Sequence, residues 1–331
     1  MRRRSLMTLV LSAGSALGAT LVGGHARAFF GDRQLGSLSQ FRGGSRLKAI
    51  NPANWTSTAT HSVPLMGPFR LELIRRHPIG DAGFGLNEPS GLTLNADATA
   101  LYTVSDDTRA IFCLDLKGRV SASESLFVSA TDLEGLALSG DGRRLLAVQE
   151  ETNCVISVDL ATRRELQHSP LAAMANYASV AMHFPARPDN KGLEGITVNT
   201  ANQHVFVVKE CRPGLLIELD AECDTILSSR LLTEANGFSH PRLGPDRLDF
   251  SGLSYDSQRD TFWIASDQGK CLFHYDWNRD QVLQCLDLRL NDGGQSKRVR
   301  KAEGLAVDPE RGRVYVVSDR DAELYVFKLH G

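Results

Sequence analysis

A short alternating apolar run recurs five times along the chain, and each copy opens with a small motif that ends in glycine and a branched apolar residue. The five motifs are Glu88-Pro89-Ser90-Gly91-Leu92, Asp132-Leu133-Glu134-Gly135-Leu136, Gly192-Leu193-Glu194-Gly195-Ile196, Asp249-Phe250-Ser251-Gly252-Leu253 and Lys301-Ala302-Glu303-Gly304-Leu305. A turn containing Asp, Asn or Gly follows each run, and then a second apolar run such as Val314-Tyr315-Val316-Val317. Alternation with a period of two residues on both sides of a turn predicts a β-hairpin.

The spacing inside each copy is constant. The residue before the motif glycine is followed 16 positions later by an acid in all five copies. These pairs are Ser90 and Asp106, Glu134 and Glu150, Glu194 and Glu210, Ser251 and Asp267, and Glu303 and Asp319. The copies begin 44, 60, 57 and 52 residues apart, which leaves room for four strands and loops of variable length. Four-stranded units repeated in this way predict a β-propeller, whereas a β-sandwich, the alternative, has no such repeat.

The ends of the repeat region predict how the ring closes. The fifth copy contains apolar runs for three strands, at 304–308, 313–318 and 323–329. A strand-like segment at about 69–78 precedes the first copy and belongs to no hairpin. We expect it to add the fourth strand to the last blade, which leaves no long edge exposed. The predicted fold is therefore all-β, a five-bladed propeller over residues 67–331.

The N-terminal residues have the pattern of an export signal. Three arginines at 2–4 precede an apolar stretch, and Ala26-Arg27-Ala28 is typical of a cleavage site. Residues 1–28 are therefore predicted to be a signal peptide of the Sec or twin-arginine type, and residues 29–66, rich in Gly, Ser, Asn and Arg, a flexible linker. The expected location is the periplasm or the medium. An uncleaved segment would instead anchor the protein in the inner membrane.

Charge and cysteine content narrow the function further. The formal net charge of −2 gives no basic excess, so no nucleic-acid partner is expected. None of the 6 cysteines forms a C-x-x-C pair, which argues against zinc. An exported protein can form disulfides, and Cys271 and Cys285 flank a predicted hairpin turn. Either a bridge between them or free buried thiols would fit the sequence.

The repeated acids are the candidate chemistry. The residue before each motif glycine is called the inner position. Antiparallel pairing returns the acid 16 positions later to the end of the ring where the inner position lies. Glu88, Asp132 and Asp249 stand two residues before inner positions. Two ionised carboxylates about 6 Å apart repel by roughly 3 kcal/mol at an effective dielectric near 20, so shared protons, basic partners or a bound cation must compensate. Because only oxygen ligands are present, Ca²⁺ is the predicted ion. The predicted metal ligands are Glu134, Glu194, Glu303, Asp249 and Glu88.

Two other interpretations concern the same face of the ring. The inner glutamates could instead accept backbone N–H groups of neighbouring blades and hold the ring together. The long loops at about 172–191 and 233–248 could form a lid or bind an anion. They contain His183 and His240, which are the candidates for acid–base catalysis if the protein is an enzyme.

The five motifs together resemble the SdiA-regulated, YjiK-like family of exported bacterial proteins, which is itself similar to propellers built from NHL repeats. The resemblance extends from about residue 69 to residue 330. It implies a five-bladed ring with Ca²⁺ in the carboxylate cluster, and it implies no particular reaction. Because this chain has serine at 90 and 251, its inner ring carries three carboxylates rather than five.

Two functions follow from this sequence. The first is an exported calcium-binding propeller that binds a small molecule or an envelope protein, and we expect it to be a monomer. The second is a metal-dependent hydrolase, a phosphoesterase or lactonase, because phytase-like and gluconolactonase-like propellers carry similar E-G motifs and use Ca²⁺ or related ions. A catalytic ion needs an open coordination position, whereas a structural ion is enclosed by protein.

Overall fold

Five four-stranded antiparallel sheets make up most of the part of the chain that the structure describes. The computed structural model describes residues 68–81, 83–105, 107–185, 190–244, 247–292 and 295–331. The predicted signal peptide and linker lie outside the described residues. In the part of the chain that is described, no helix has the length and apolar character needed to cross a membrane.

The strands follow the repeat predicted from the sequence. Blade 1 contains β2 (Pro89–Leu94), β3 (Ala100–Ser105), β4 (Ala110–Asp115) and β5 (Val120–Phe127). Blade 2 contains β6 (Leu133–Leu138), β7 (Arg144–Gln149), β8 (Cys154–Asp159) and β9 (Arg164–Pro170). Blade 3 contains β10 (Leu193–Val198), β11 (Val205–Lys209), β12 (Leu215–Leu219) and β13 (Ile226–Leu231). Blade 4 contains β14 (Leu253–Asp256), β15 (Thr261–Ser266), β16 (Cys271–Asp276) and β17 (Gln281–Asp287).

The last blade joins the two ends of the repeat region. It contains β20 (Ala302–Asp308), β21 (Arg313–Ser318), β22 (Glu323–His330) and, as its outermost strand, β1 (Arg70–Pro78). β1 is antiparallel to β22, with Arg70 opposite His330 and Pro78 opposite Glu323. The predicted closure is thus confirmed, and the pairing satisfies an edge that would otherwise be open.

Three insertions depart from the four-stranded pattern. Short 3₁₀ turns at Leu171–Ala173, Tyr177–Ser179 and Ala181–His183 lie between blades 2 and 3, and a fourth at Glu234–Asn236 follows blade 3. A separate hairpin of β18 (Arg289–Asp292) and β19 (Gln295–Arg298) leads from blade 4 to blade 5.

The hydrophobic core consists of five clusters, one at each junction of adjacent blades. Since a middle strand has a blade on each side, both of its faces are buried, and β15 is buried at all six positions. That is why middle strands such as Val314-Tyr315-Val316-Val317 are continuously apolar, unlike the period-2 alternation predicted on both sides of each turn. The junction of blades 3 and 4 is aromatic, with Phe238 in edge contact with Phe250 and Phe273.

The motif glycines bring the inner strands together around the axis. A β-carbon on Gly135 would lie 2.6 Å from the backbone oxygen of Glu194, and one on Gly195 would lie 2.7 Å from that of Ser251. The same contact, at 2.2–2.8 Å, links every motif glycine to the residue before the glycine of the next blade, including Gly304 to Ser90 across the closure. Only glycine permits this approach, which explains its presence in all five copies. Around these glycines the channel has no room for a water molecule.

Hydroxyl groups connect neighbouring inner strands. Thr197 Oγ1 accepts a hydrogen bond from the backbone N–H of Tyr255 at 3.0 Å, and Ser254 Oγ accepts one from Val307 at 3.1 Å. Thr93 Oγ1 likewise accepts a hydrogen bond from the backbone N–H of Leu138 in blade 2 at 3.3 Å. These residues all stand three positions after the inner site of their motif, so they satisfy N–H groups at the free edge of an inner strand.

The cysteines of the described residues are free thiols. In the blade 4 register, Cys285 lies opposite Phe273 and Cys271 lies opposite Asp287, so the two thiols are diagonal neighbours rather than direct partners. They contact each other through a hydrogen bond, and no disulfide joins them.

Candidate metal centre at the mouth of the channel

The inner glutamates begin the innermost strands at β-bulges. The register of β6 with β7 shifts between Leu133 and Leu136, and that of β10 with β11 shifts between Leu193 and Gly195. The register of β20 with β21 shifts in the same way around Glu303. A bulge leaves one residue out of the ladder and redirects its side chain. Sequence reasoning missed these bulges, although a glycine after an acid at the start of a strand is a signal for them.

Two overlapping groups of carboxylates could each hold a cation. In one group, oxygens of Asp132, Glu134 and Glu150 all lie within 4.8 Å of one another. In the other, oxygens of Glu150, Glu194 and Glu210 do so. Two oxygens bound to one Ca²⁺ at about 2.3–2.6 Å cannot be more than about 5 Å apart, so each group by itself could bind one ion. Glu150 belongs to both, and its side chain is buried.

The pKa of Glu194 records how closely these groups converge. The pKa of Glu194 is raised well above its usual range. Burial is the largest cause of this increase, and the charges of Glu134, Glu303, Glu150 and Glu210 add to it. The charges of Glu134 and Glu303 therefore both reach Glu194. In the described residues, however, the oxygens of Glu303 belong to neither carboxylate group. A bound cation would reverse the increase in the pKa of Glu194 by favouring the ionised carboxylate.

Glu303, the inner glutamate of blade 5, has a lysine beside it. Burial raises its pKa to about 7, with Lys301 working in the opposite direction and Asp267, Asp249 and Glu210 adding to the increase. Lys301 Nζ lies 3.8 Å from Glu303 Oε1, and it also contacts Asp319. Lys301, the first residue of the fifth motif, thus reaches both acids of its own blade.

The acids that stand 16 positions after the inner residues form a second acidic ring, and lysines neutralise most of its members. Lys191 Nζ lies 2.8 Å from Glu210 Oε2, and Lys270 Nζ lies 2.6 Å from Asp267 Oδ1. Glu150 instead accepts the backbone N–H of Gly192 at 3.0 Å, and burial raises its pKa. The fifth acid of this ring, Asp106, lies outside the described residues. Glu150 is therefore the second-ring acid most available to a cation, a distinction that the repeat alone did not predict.

Asp249 and Asp132 stabilise turns of their own blades. Asp249 Oδ1 accepts hydrogen bonds from Ser266 Oγ at 2.7 Å and from the Gln268 N–H at 2.9 Å. Asp132 Oδ2 accepts the N–H of Glu151 at 2.7 Å. Asp249 is buried and raises the pKa of Glu303, but in the described residues its oxygens belong to neither of the two carboxylate groups.

The remaining motif positions have different surroundings. Ser90 Oγ donates to Glu134 Oε2 at 2.5 Å, and Ser251 Oγ donates to the backbone oxygen of Ala302 at 2.6 Å. Each serine thereby joins its blade to the next. The carboxylate of Glu88 is exposed and belongs to neither carboxylate group.

The two predicted acid–base histidines lie away from the carboxylate groups. His183 lines an open depression of about 560 Å³ together with Arg230 and Asp280. His240 is buried, 3.3 Å from Arg242 and 4.0 Å from Asp287. Burial and Arg242 lower its pKa, so it is neutral at neutral pH. Neither histidine belongs to the described groups that could hold a metal.

A cavity opens beside the carboxylates. Its volume is about 520 Å³, and the 3₁₀ insertion supplies one wall with Tyr177 and Phe184. Glu150 and Lys191 also line this cavity. A second cavity of about 360 Å³ opens on the other side of the motif glycines. The acidic centre is therefore reached from one end of the channel, next to a partly apolar pocket.

The fold and this centre define the class of protein: a five-bladed β-propeller with an acidic cluster at one mouth of its channel. The chain belongs to the SdiA-regulated family, whose model matches residues 81–328.

Three solved structures are similar to this chain at low sequence identity. The Myxococcus xanthus glutaminyl cyclase is 12% identical, with a TM-score of 0.55, over 79% of this chain and 97% of that chain. The β-propeller domain of Myceliophteria thermophila Cps50 (Swd1) is 12% identical, with a TM-score of 0.43, over 79% of this chain and 99% of that chain. The Kuenenia stuttgartiensis hydrazine synthase is 10% identical, with a TM-score of 0.44, over 74% of this chain and 96% of that chain. At 12% identity, the first of these similarities supports the fold alone.

Proposed function

We propose that this protein is an exported calcium-binding β-propeller that binds a small molecule or an envelope protein at its acidic face. The observation that carries the proposal is the meeting of Glu150, Glu194 and Glu210 oxygens within 4.8 Å at the channel mouth. Their separation matches a Ca²⁺ coordination sphere, and carboxylate oxygens are the ligands that this ion prefers.

The charges around the centre support a cation over a purely structural role. If the glutamates only held the ring together, backbone N–H groups would satisfy them, as Gly192 does for Glu150. Glu194 instead has a raised pKa because it is buried and because the charges of four other glutamates add to the effect of burial. Such a cluster needs protons when it is metal-free, and an ion can take their place.

The adjoining cavity supports a binding function. A partly enclosed space of about 520 Å³ with apolar and polar walls is of the size that holds a small ligand. It shares Glu150 with both carboxylate groups, so a ligand there would lie beside the ion. A hydrolase remains the second candidate, because the same arrangement would leave a coordination position open to substrate.

The test is calcium binding by a protein stripped with EDTA. Isothermal titration calorimetry should show saturable Ca²⁺ binding, and scanning calorimetry should show a melting temperature higher by about 5–10 °C at a hundredfold excess over Kd, equivalent to about 2.7 kcal/mol. Mg²⁺ should bind more weakly, since it requires a regular octahedral site.

A matched pair of variants locates the site. Glu194→Gln should abolish the calcium response, whereas Glu151→Gln, an exposed acid beside the same cavity, should retain it. Equal losses in both variants would mean that Ca²⁺ responds only to the general negative potential. No heat of binding in the wild-type protein would overturn the proposal. Phosphoesterase and lactonase assays of the calcium-loaded protein would then distinguish a binding protein from a hydrolase.

A further inference from the structure

Three arginines and a histidine meet around one aspartate at the end of blade 4. Asp287 Oδ2 accepts hydrogen bonds from Arg289 at 2.8 Å and from Arg298 at 2.9 Å. Arg242 lies 3.8 Å from Asp287 Oδ1, and His240 lies beside Arg242. The long loop after blade 3 and the hairpin β18–β19 thus both reach one carboxylate.

This cluster has an excess of positive charge. Burial works against ionisation of Asp287, but the hydrogen bonds and charges of Arg298 and Arg289 hold its pKa below the usual range. His240 is neutral at neutral pH because burial and Arg242 lower its pKa. Three guanidinium groups therefore face one carboxylate, and two positive charges are left uncompensated among the described side chains.

The guanidinium groups retain unused donors that a ligand can reach. Arg242 and Arg289 are about half exposed, and Arg298 is about a quarter exposed. Arg298 Nε has no hydrogen-bond partner but is buried, so the donors open to a ligand are those on the exposed parts of the three guanidinium groups. Arg242 donates only long hydrogen bonds, at 3.3 Å to His240 and 3.4 Å to the backbone oxygen of Gly269. Each guanidinium has five N–H donors in a planar fork, so most of these donors lack a protein acceptor.

A surface ion-pair network would have similar numbers of both charges. Here like charges converge at a cost, and Asp287 holds two of the three forks in place, as a preorganised site requires. Guanidinium forks bind tetrahedral oxyanions through paired hydrogen bonds, and two uncompensated charges match a dianion.

We propose that Arg242, Arg289 and Arg298 form a binding site for a phosphate dianion, as inorganic phosphate or as a phosphomonoester group of a larger ligand. Asp287 positions the arginines and is not itself a ligand. The site is separate from the carboxylate cluster and requires no metal ion.

The experiment is a titration of the EDTA-treated full-length chain with inorganic phosphate at pH 8 and low ionic strength, followed by calorimetry. EDTA keeps phosphate from reporting on calcium, so this result is independent of the proposed calcium function. Saturable binding is expected below about 10 mM, weakened by added salt. Sulfate should compete, and acetate should bind at least tenfold more weakly because it is a monoanion.

Variants of the hairpin test the assignment. Arg289→Gln combined with Arg298→Gln should weaken phosphate binding by at least tenfold, whereas Lys297→Gln, an exposed basic neighbour, should change it less than twofold. Arg289→Lys keeps the charge but loses the fork, and should weaken binding severalfold. Melting curves of each variant show whether it is folded.

Three outcomes would overturn the inference. One is no phosphate binding by the wild-type protein in this range. Another is equal weakening by Lys297→Gln and by the double variant, which would mean a diffuse potential. The third is acetate binding as strong as phosphate binding, which would mean that the arginines recognise any anion.

Discussion

The α-carbon of Gly135 lies so close to the backbone oxygen of Glu194 that a β-carbon on Gly135 would be only 2.6 Å from it. The next blade is also near on its other side, since the same β-carbon would lie 2.8 Å from the α-carbon of Gly195. This contact sets the distance between two inner strands and, with it, the distance between Glu134 and Glu194. The repeated glycine therefore determines both the ring and the geometry of the acidic cluster.

Gly135→Ala should destabilise the protein by about 3 kcal/mol or prevent folding, because both clashing groups are backbone atoms that cannot move aside. Urea unfolding followed by tryptophan fluorescence measures the change. Gly244→Ala is the control, since a β-carbon there meets nothing within 4 Å, and it should leave stability within about 0.5 kcal/mol. Equal stabilities of the two variants would contradict the close approach.

The metal-free protein should lose stability as the pH rises from about 4.5 to about 7. Burial raises the pKa of Glu303 from 4.5 to about 7, so in this interval the folded state keeps a proton that the unfolded state releases. The contribution of Glu303 is most favourable below pH 4.5 and falls by on the order of 3 kcal/mol by pH 8. Melting temperatures in EDTA across this range measure it.

Two comparisons check the origin of that pH dependence. Glu303→Gln should flatten the curve, whereas Glu124→Gln, at an exposed position, should leave it unchanged. Saturating Ca²⁺ should raise the melting temperature more at pH 8 than at pH 5, because the ion competes with protons. A calcium effect that is larger at pH 5 would contradict this linkage.

Thr197→Val should cost about 1–3 kcal/mol, because it leaves the N–H of Tyr255 without its hydrogen-bond acceptor between blades 3 and 4. The shapes of the two side chains are the same, so the change isolates the hydroxyl. Chemical denaturation measures the loss. Thr225→Val, at a half-buried position of the same blade, is the comparison, and a similar loss there would show that threonine burial alone accounts for the effect.

Cys285 should be the thiol that reacts first with a soluble disulfide reagent. It is exposed, and a hydrogen bond from Cys271 lowers its pKa, so it forms the thiolate more readily. The other five cysteines are buried and should react only after unfolding. A colorimetric thiol assay counts the thiols that react in the folded protein and those that react only after unfolding. Cys285→Ser should remove the fast reaction and Cys113→Ser should not; no fast reaction in the freshly reduced wild-type protein would contradict the exposure of Cys285.

The fold was predictable because its information is local. Period-2 alternation, turn residues and a constant 16-residue offset specify a hairpin wherever they occur, and five copies specify a ring. The unassigned segment before the first copy was enough to predict the closing strand β1. The same register predicts that Glu134, Glu194 and Glu303 lie at one end of the ring. In the described residues, Glu134 and Glu194 belong to different carboxylate groups and Glu303 belongs to neither.

The composition of the site was less predictable because it depends on contacts between blades. The sequence treated Glu150, Glu210 and Asp267 as equivalent, and only the structure shows lysines beside two of them and Glu150 shared by two carboxylate groups. It also could not show that Asp249 holds a turn.

The sequence by itself determined the five blades, their closure and the end of the channel where the acids meet, since these depend on periodicity along one chain. The tertiary structure decided which oxygens lie within reach of one ion, that Cys271 and Cys285 are diagonal rather than opposite, and that Arg242 meets Arg289 and Arg298 around Asp287. Those relationships depend on bulges, strand offsets and loop paths, which bring together residues that no local pattern connects.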